Sequence, residues 1–377
     1  MEISAADLAH IDQLMRRGIL TEPATGREYF TGYDYRVLYD WDQYFEAIVQ
    51  LYLGWDKQYI VNGILIFLDM QQPDGFIPRR VPAPAGRTET EMVKPFLAQI
   101  ALLLFKRFEH TWLTDEYYLR LKKYLLYWLE QKDKNGNGLS TWDSAEHSGM
   151  DDQLDRAGGP GTCYCEGVDL NCFLCREMAA FAVIAETLGR QDDALEFSRR
   201  AEQMKERIRA DMWCEADGFF YDLDERTGEF IRVKSSACFS VLWAGAATET
   251  QARRLVREHL LNPREFWRAF PVPSYAATEP GYREENLPED VGCNWRAHTW
   301  VPVNYYLMHG LQRYGCGEIA QIIADRTCEV VKSVGDREYY TSDSVRGQGL
   351  DPFWGWTLLA YFMPYEARTG ADPTEVP

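Results

Sequence analysis

No apolar run in this chain approaches the roughly 20 residues that a membrane-crossing helix needs. The opening MEISAADLAHIDQLMRRGIL reads as an amphipathic helix rather than a secretory leader. A soluble protein of the cytoplasm is the expectation. Positive charge is scarce as well: 40 Lys and Arg stand against 58 Asp and Glu, for a formal net charge of −18. Nucleic acid and anionic membranes are bound through basic patches, so neither is expected as the main partner. Histidine numbers only six, none paired at helical spacing near the acidic loops. The chain has no G-x-x-x-x-G-K, no G-x-G-x-x-G after a strand, no G-x-S-x-G and no H-E-x-x-H. That speaks against nucleotide-, serine- and zinc-dependent chemistry. Strand patterning is confined to short pieces, Gly218-Phe-Phe-Tyr221 and Glu229-Phe-Ile-Arg-Val233, around a turn at Thr227-Gly228.

Cysteine is present but poorly arranged for a metal. Nine residues make an odd set, with Cys163, Cys165, Cys172 and Cys175 crowded together. The C-x-C pair lacks the usual two-residue spacing, Cys172 and Cys175 fall in a helical pattern, and no His pair is near. Buried reduced thiols are expected, with no metal and no cofactor. Asp133-Lys-Asn-Gly-Asn-Gly138 fits the first half of a calcium-binding EF-hand loop, but Ser144 occupies the place of its bidentate Glu. A tight helical calcium turn and a plain structural turn both remain open for Asp133–Asn137.

What the chain does have is aromatic side chains beside polar ones. Its 12 Trp and 22 Tyr often adjoin Asp, Glu, Arg or Gln rather than apolar runs. Sugar rings stack on such apolar faces while polar tips bind their hydroxyls. Apolar periodicity of the helical kind recurs throughout, beginning after Ser4 and continuing near 41–54, 58–71, 91–110, 115–131, 167–189, 191–212, 235–246, 249–260, 297–314, 316–334 and 353–366. Thr248 with Gln251 predicts a capping box, and Asp351-Pro352 an N-cap followed by proline. The intervening segments 73–90, 132–165, 213–234, 262–296 and 335–352 are long for connections in a compact helical protein unless they carry function. None reads as a linker, and no fixed period suggests a solenoid. The expectation is an all-α (α/α)6 barrel with small β-hairpins in its loops, one domain over residues 1–377, whose long loops share one rim.

Chemistry concentrates in those loops. Ser140-Thr-Trp-Asp-Ser-Ala-Glu-His-Ser-Gly-Met-Asp-Asp152 places several carboxyls beside a Trp and a His. Desolvation and like charge there would keep one of them protonated near neutral pH, as a general acid must be. Glu338, in Arg337-Glu-Tyr-Tyr340, lies ahead of Gly347-Gln-Gly349 and an aromatic helix entrance, where a carboxylate suits a base facing a sugar. Tyr39-Asp-Trp-Asp-Gln-Tyr-Phe45, Gln71-Gln-Pro-Asp-Gly-Phe-Ile-Pro78 and Asn294-Trp-Arg-Ala-His-Thr-Trp300 supply further aromatic and polar pairs. The substrate-binding candidates are Trp41, Asp42, Gln72, Trp142, Trp295, Arg296, Trp300 and Trp356.

Taken together, these segments resemble glycoside hydrolase family 63 and its relative, the family 37 trehalases, over residues of about 25–365. Gly26-Arg-Glu-Tyr-Phe30 leading to the Trp41-Asp42 run is similar to the trehalase Gly-Arg-Phe followed by aromatic-Trp-Asp. His147-Ser-Gly-Met-Asp151 resembles the Glu-Ser-Gly-aromatic-Asp element that ends in the family's general acid. Val168-Asp-Leu-Asn171 and Trp295-Arg-Ala-His-Thr-Trp300 match family elements. Glu338-Tyr-Tyr, Gly347-Gln-Gly349 and Phe353-Trp-Gly-Trp-Thr357 resemble the closing series that contains its base. The resemblance implies an (α/α)6 barrel and an inverting hydrolase with Asp151 as acid and Glu338 as base. Asp151 is then expected to titrate high and Glu338 lower, with the two carboxyls about 6.5–9.5 Å apart.

Departures from the family pattern narrow the substrate. His147 replaces a Glu, Lys94-Pro-Phe replaces Gln-Pro-Pro, and an arginine that trehalases carry before the Glu-Ser-Gly run is missing, so trehalose is not favoured. The chain more resembles the compact bacterial members acting on mannosylglycerate or glucosylglycerate. Arg79, Arg80, Arg283 and Arg296 are candidates to meet a glycerate carboxylate. The expected activity is hydrolysis of an α-glucosidic or α-mannosidic bond in a small carbohydrate. A phosphorylase, lyase or epimerase on the same barrel and a non-catalytic sugar-binding protein are the alternatives.

Overall fold

A computed structural model describes residues 3–82, 89–157, 163–287 and 293–376; parts of the expected loops 73–90, 132–165 and 262–296 lie outside them. Helix dominates, and its starts follow local chemistry. Ser4 and Asp7 form a reciprocal capping box on Ala5–Met15, Thr248 and Gln251 do so on Glu249–Arg254, and the Thr114 hydroxyl caps Asp115–Gln131.

Burial patterns sort the helices into two layers. Gln191–Asp211 buries only Ala194, Phe197, Ala201, Met204 and Ile208, a single stripe at helical spacing with charge on the other faces. Asp115–Gln131 and Gly317–Val334 show the same one-sided burial. By contrast, Asp40–Tyr52, Leu97–Phe105, Val168–Thr187 and Val301–Arg313 are buried almost all round, including polar Gln43, Glu46, Gln99, Asn171 and Asn304. A helix buried on every face must be surrounded by others. These four, with Ser240–Ala244 and the 3₁₀ turn Trp356–Tyr361, form an inner ring in which each packs on the next and the last returns to Asp40–Tyr52. The one-sided helices lie outside it, which gives the (α/α)6 barrel. The N-terminal helix joins the outer layer through the Asp7–Lys332 ion pair (2.8 Å).

Among the described residues, strands are two or three residues long and lie in the connections. Tyr339–Thr341 pairs with both His298–Thr299 and Gly347–Gln348, and Leu38–Tyr39 pairs with Arg80–Val81. Near the expected hairpin, Phe219–Phe220 pairs with Trp213–Cys214. Asp222–Asp224 pairs with Phe230–Ile231 and also with Cys165–Glu166. The register therefore differs from a direct pairing of 218–221 with 229–233, because residues 219–224 split into two strands that take different partners.

Three helix starts fall later than the periodicity predicts. Residues 91–96 are not helical: Pro95 disfavours helical backbone at Lys94, and Val93 N–H instead donates to Ile77 O (2.8 Å). His298 and Thr299 are taken by a strand, so the helix opens at Val301 with Pro302 in its first turn. Asp351-Pro352 does not cap a helix; Phe353 N–H donates to Asp336 O, and the 3₁₀ turn follows Gly355.

Candidate active site

At one end of the ring, side chains from the first connection and from four of the long loops or their flanks meet in a small cleft. It is lined by Tyr33, Tyr35, Tyr39, Trp41, Asp42, Arg79, Lys94, Glu146, Gly149, Asp151, Cys293, Trp295, Trp300, Glu338 and Trp356. Loop 213–234 supplies none of these; its Asp222 acts from behind, holding Arg156 and the N–H of Val168.

The acid loop is pinned on both sides of Asp151. Ser144 caps the short helix Ala145–Ser148, and Gly149 ends it in left-handed backbone (φ 83°). A side chain at Gly149 would also meet the Trp41 ring at 2.9 Å. His147 is fully buried beneath, with Nε2 2.7 Å from Met92 O and its ring stacked on Trp128. Gln153 Nε2 donates to Trp295 O (2.6 Å), which ties the loop to the Trp295 segment.

The carboxyls of this loop are sorted by their partners. Burial raises the titration of Asp143, but His147 and Lys132 (2.7 Å to both oxygens) outweigh it and bring it down to about 2. Glu146 is likewise raised by burial and lowered more by Arg79 and Arg80, for a net fall. Asp152 accepts from Trp295 N–H (2.8 Å) and Arg296 Nε (3.1 Å). Asp151 faces the cleft and accepts the backbone N–H of Cys293 (3.1 Å). Desolvation pushes it up to about 7, with Glu146 adding to the rise and Arg79 and Lys94 opposing it. Desolvation, more than crowding by other carboxylates, is the main cause.

Glu338 lines the same cleft, just before the strand Tyr339–Thr341. Its backbone oxygen accepts Trp356 Nε1 (3.2 Å), its Oε2 accepts Leu350 N–H (3.1 Å), and the Cys293 thiol lies 3.6 Å from Oε1. Gly349 is held at φ 69°, and a side chain there would strike Glu338 Oε2 at 2.4 Å. Burial raises the Glu338 titration while the Leu350 and Cys293 donors lower it, leaving it above the ordinary carboxylate value. The base candidate is thus less acidic than an exposed Glu, a shift that its sequence context does not disclose.

Aromatic rings pave the cleft. Trp295 and Trp300 stack at 3.8 Å, and Tyr339 also stacks on Trp300 at 4.4 Å. Trp41 and Trp356 complete the wall, with centroids 6.1 Å apart. Tyr33 O–H donates to Asp42 (2.8 Å), whose titration burial pushes up to about 7.

Three of the expected binding residues stand elsewhere. Gln72 is exposed in a turn closed by its own N–H to Phe76 O (2.8 Å), and the chain only later delivers Arg79 to the cleft. Trp142 is sealed behind the acid loop, donating to Asp169 Oδ1 (3.0 Å). Arg296 lies one layer back on Asp152. Conversely, Tyr33, Tyr35, Tyr39, Lys94 and Cys293 line the cleft without having been singled out as binding residues, and of the four arginines considered for a glycerate carboxylate Arg79 lines it. Lys94 is the most legible of them, since it sits at a marked departure from the family pattern. Its ammonium lies 3.3 Å from Asp40 and over the Trp41 ring at 5.4 Å.

Among the described residues no three His, Cys, Asp or Glu side chains are placed to hold a metal. All nine cysteines are free thiols. In the Asp133–Gly138 turn, Asn135 and Asn137 donate to Glu166 Oε1 (2.7 and 2.8 Å).

A double ring of helices closing on a small aromatic cleft lined by two buried carboxyls is the architecture of an (α/α)6-barrel glycoside hydrolase. The chain belongs to the mannosylglycerate hydrolase MGH1-like glycoside hydrolase domain family, whose model matches residues 35–357. It is 28% identical over 196 residues to the mannosylglycerate hydrolase of Rubrobacter radiotolerans, a match covering 51% of this chain and 42% of that relative. The match therefore spans less than half of that relative's length. A GH63 mannosylglycerate hydrolase from Thermus thermophilus, solved in complex with glucose, superimposes with a TM-score of 0.74 at 20% identity over 95% of this chain and 99% of that one. The neutral trehalase of Saccharomyces cerevisiae gives a TM-score of 0.69 at 17% identity, over 99% and 83%. At these identities the two structures establish the fold.

Proposed function

We propose that this chain is an inverting glycoside hydrolase that cleaves an α-glucosidic or α-mannosidic bond of a small glycoside. The observation that carries the reading is the pair of carboxyls facing one cleft with a single residue, Cys293, bridging them. Asp151, pushed up to about 7, keeps a large protonated fraction at neutral pH, and that form delivers its proton to the departing glycosidic oxygen. Glu338, ionised, draws a proton from a water that attacks the anomeric carbon on the opposite face. An inverting pair stands ~6.5–9.5 Å apart to leave room for that water, against ~5–5.5 Å for a retaining pair.

The walls suit one sugar ring, with indole faces for its apolar side and Asp42 for its hydroxyls. Arg79, held by Glu91 (3.1 Å) and Glu146 (2.7 Å), lines the cleft and brings a cation suited to a glycerate carboxylate. No histidine lines the cleft among the described residues, which disfavours an epimerase that relies on one. Incubation with α-glucosides and α-mannosides, including both glycosylglycerates, followed by proton NMR of the first-formed sugar, tests the reading. An inverted anomer is expected; a retained one, or full turnover by Glu338→Gln, overturns it.

A further inference from the structure

We propose that Cys293 is a positioning residue for the reaction: its thiol donates to Glu338 Oε1 while its backbone N–H donates to Asp151 Oδ2, so one residue sets both carboxyls. This rests on the reading above and deepens it. The two contacts are 3.6 and 3.1 Å, the first within the reach of a sulfur donor. Glu338 then has one donor per oxygen, the thiol on Oε1 and Leu350 N–H on Oε2, and its other lone pairs are left for the attacking water.

The thiol is a donor here because it is protonated. Burial, with Glu338 and Asp151 nearby, pushes its titration well above the ordinary cysteine range, so it is neither a second anion nor a nucleophile. The titratable groups facing Glu338 are Cys293, Asp34, Tyr33, Tyr35 and Tyr339, with Asp151 and Asp152 beyond the thiol. All are acids. Favouring the ionised base therefore falls to neutral donors, and a hydrogen bond to the charged form does this directly.

The test follows the Glu338 side-chain carboxyl by carbon NMR in glutamate-labelled enzyme, assigned with Glu338→Gln and read without substrate. Cys293→Ala is expected to raise the Glu338 titration by about half a pH unit, the low end of what one hydrogen bond contributes, as suits a weak sulfur donor. Cys293→Val, which keeps bulk without a donor, is expected to do the same. Cys293→Ser, which keeps a donor, is expected to stay near the parent. The acidic limb of kcat/KM moves with the titration. An unmoved titration in both Ala and Val variants, or a Ser variant shifted as far as Ala, overturns the proposal. A shifted titration in an enzyme that hydrolyses none of the glycosides overturns the proposed function and leaves the thiol's hold on Glu338 standing.

Discussion

At the scale of single residues, Asp143, Glu146, Asp151 and Asp152 are chemically alike and differ in what holds them. Lys132 and His147 keep Asp143 ionised, Arg79 holds Glu146 and Arg296 holds Asp152, whereas Asp151 has a backbone N–H and a desolvating wall. Asp151→Asn is expected to lower kcat/KM by about 10²–10⁴, the range for loss of a general acid, and to remove the fall in activity that begins as pH rises through about 7. Asp42 is also pushed up to about 7, so Asp42→Asn is the discriminating control: it should weaken substrate use but keep the alkaline limb. A limb that vanishes in Asp42→Asn and persists in Asp151→Asn would exchange their roles. As cleft residues, Asp151 and Glu338 were legible from their loop runs and from the family motifs those runs resemble. Cys293 was not, because its contacts are with two partners 142 and 45 residues away.

At the scale of elements, the acid loop is braced by a buried ion triad. Arg156, 2% exposed, reaches Asp169 (2.5 Å) in the first turn of Val168–Thr187 and Asp222 in a hairpin strand. Asp222 also accepts the Val168 N–H (2.6 Å), and Asp169 accepts Trp142 Nε1. Arg156→Met strands two buried carboxylates, a change expected to cost about 3–5 kcal/mol by denaturant unfolding, because the desolvation penalty remains while the attraction is lost. A loss below about 1 kcal/mol would show that water replaces the guanidinium. The outer helices announced themselves through one-sided periodicity, whereas the starts near Pro95, His298 and Asp351 were misread. There, apolar residues at helical spacing were serving strand pairs and turns, and short apolar runs do not distinguish these states.

At the scale of the whole molecule, the buried carboxyls set the pH response of stability. Burial pushes Asp42, Asp151 and Glu177 each up to about 7. A carboxyl raised on folding binds its proton more tightly in the folded state. Its stabilising contribution is therefore complete below the unfolded value of about 4 and is lost as pH rises toward 7. The melting temperature is expected to fall across that window. Asp42→Asn should raise it at pH 8 more than at pH 5, and an equal shift at both would remove the carboxyl as the cause. The closed ring should melt in one transition, as one domain over residues 1–377 would; two separated calorimetric peaks would divide the chain.

Helix content, the paired-helix ring and the two carboxyl-bearing loops could be read from the chain alone, because amphipathic periodicity and turn chemistry act over a few residues. Which aromatic and charged side chains share the cleft could be read only in part. Trp142 and Gln72 sit in runs as rich as those of Trp41 and Trp356, yet one is sealed against Asp169 and the other faces solvent. That choice, like the partners that leave Asp151 high and Asp143 low, depends on contacts between segments distant in sequence and is decided only when the ring closes.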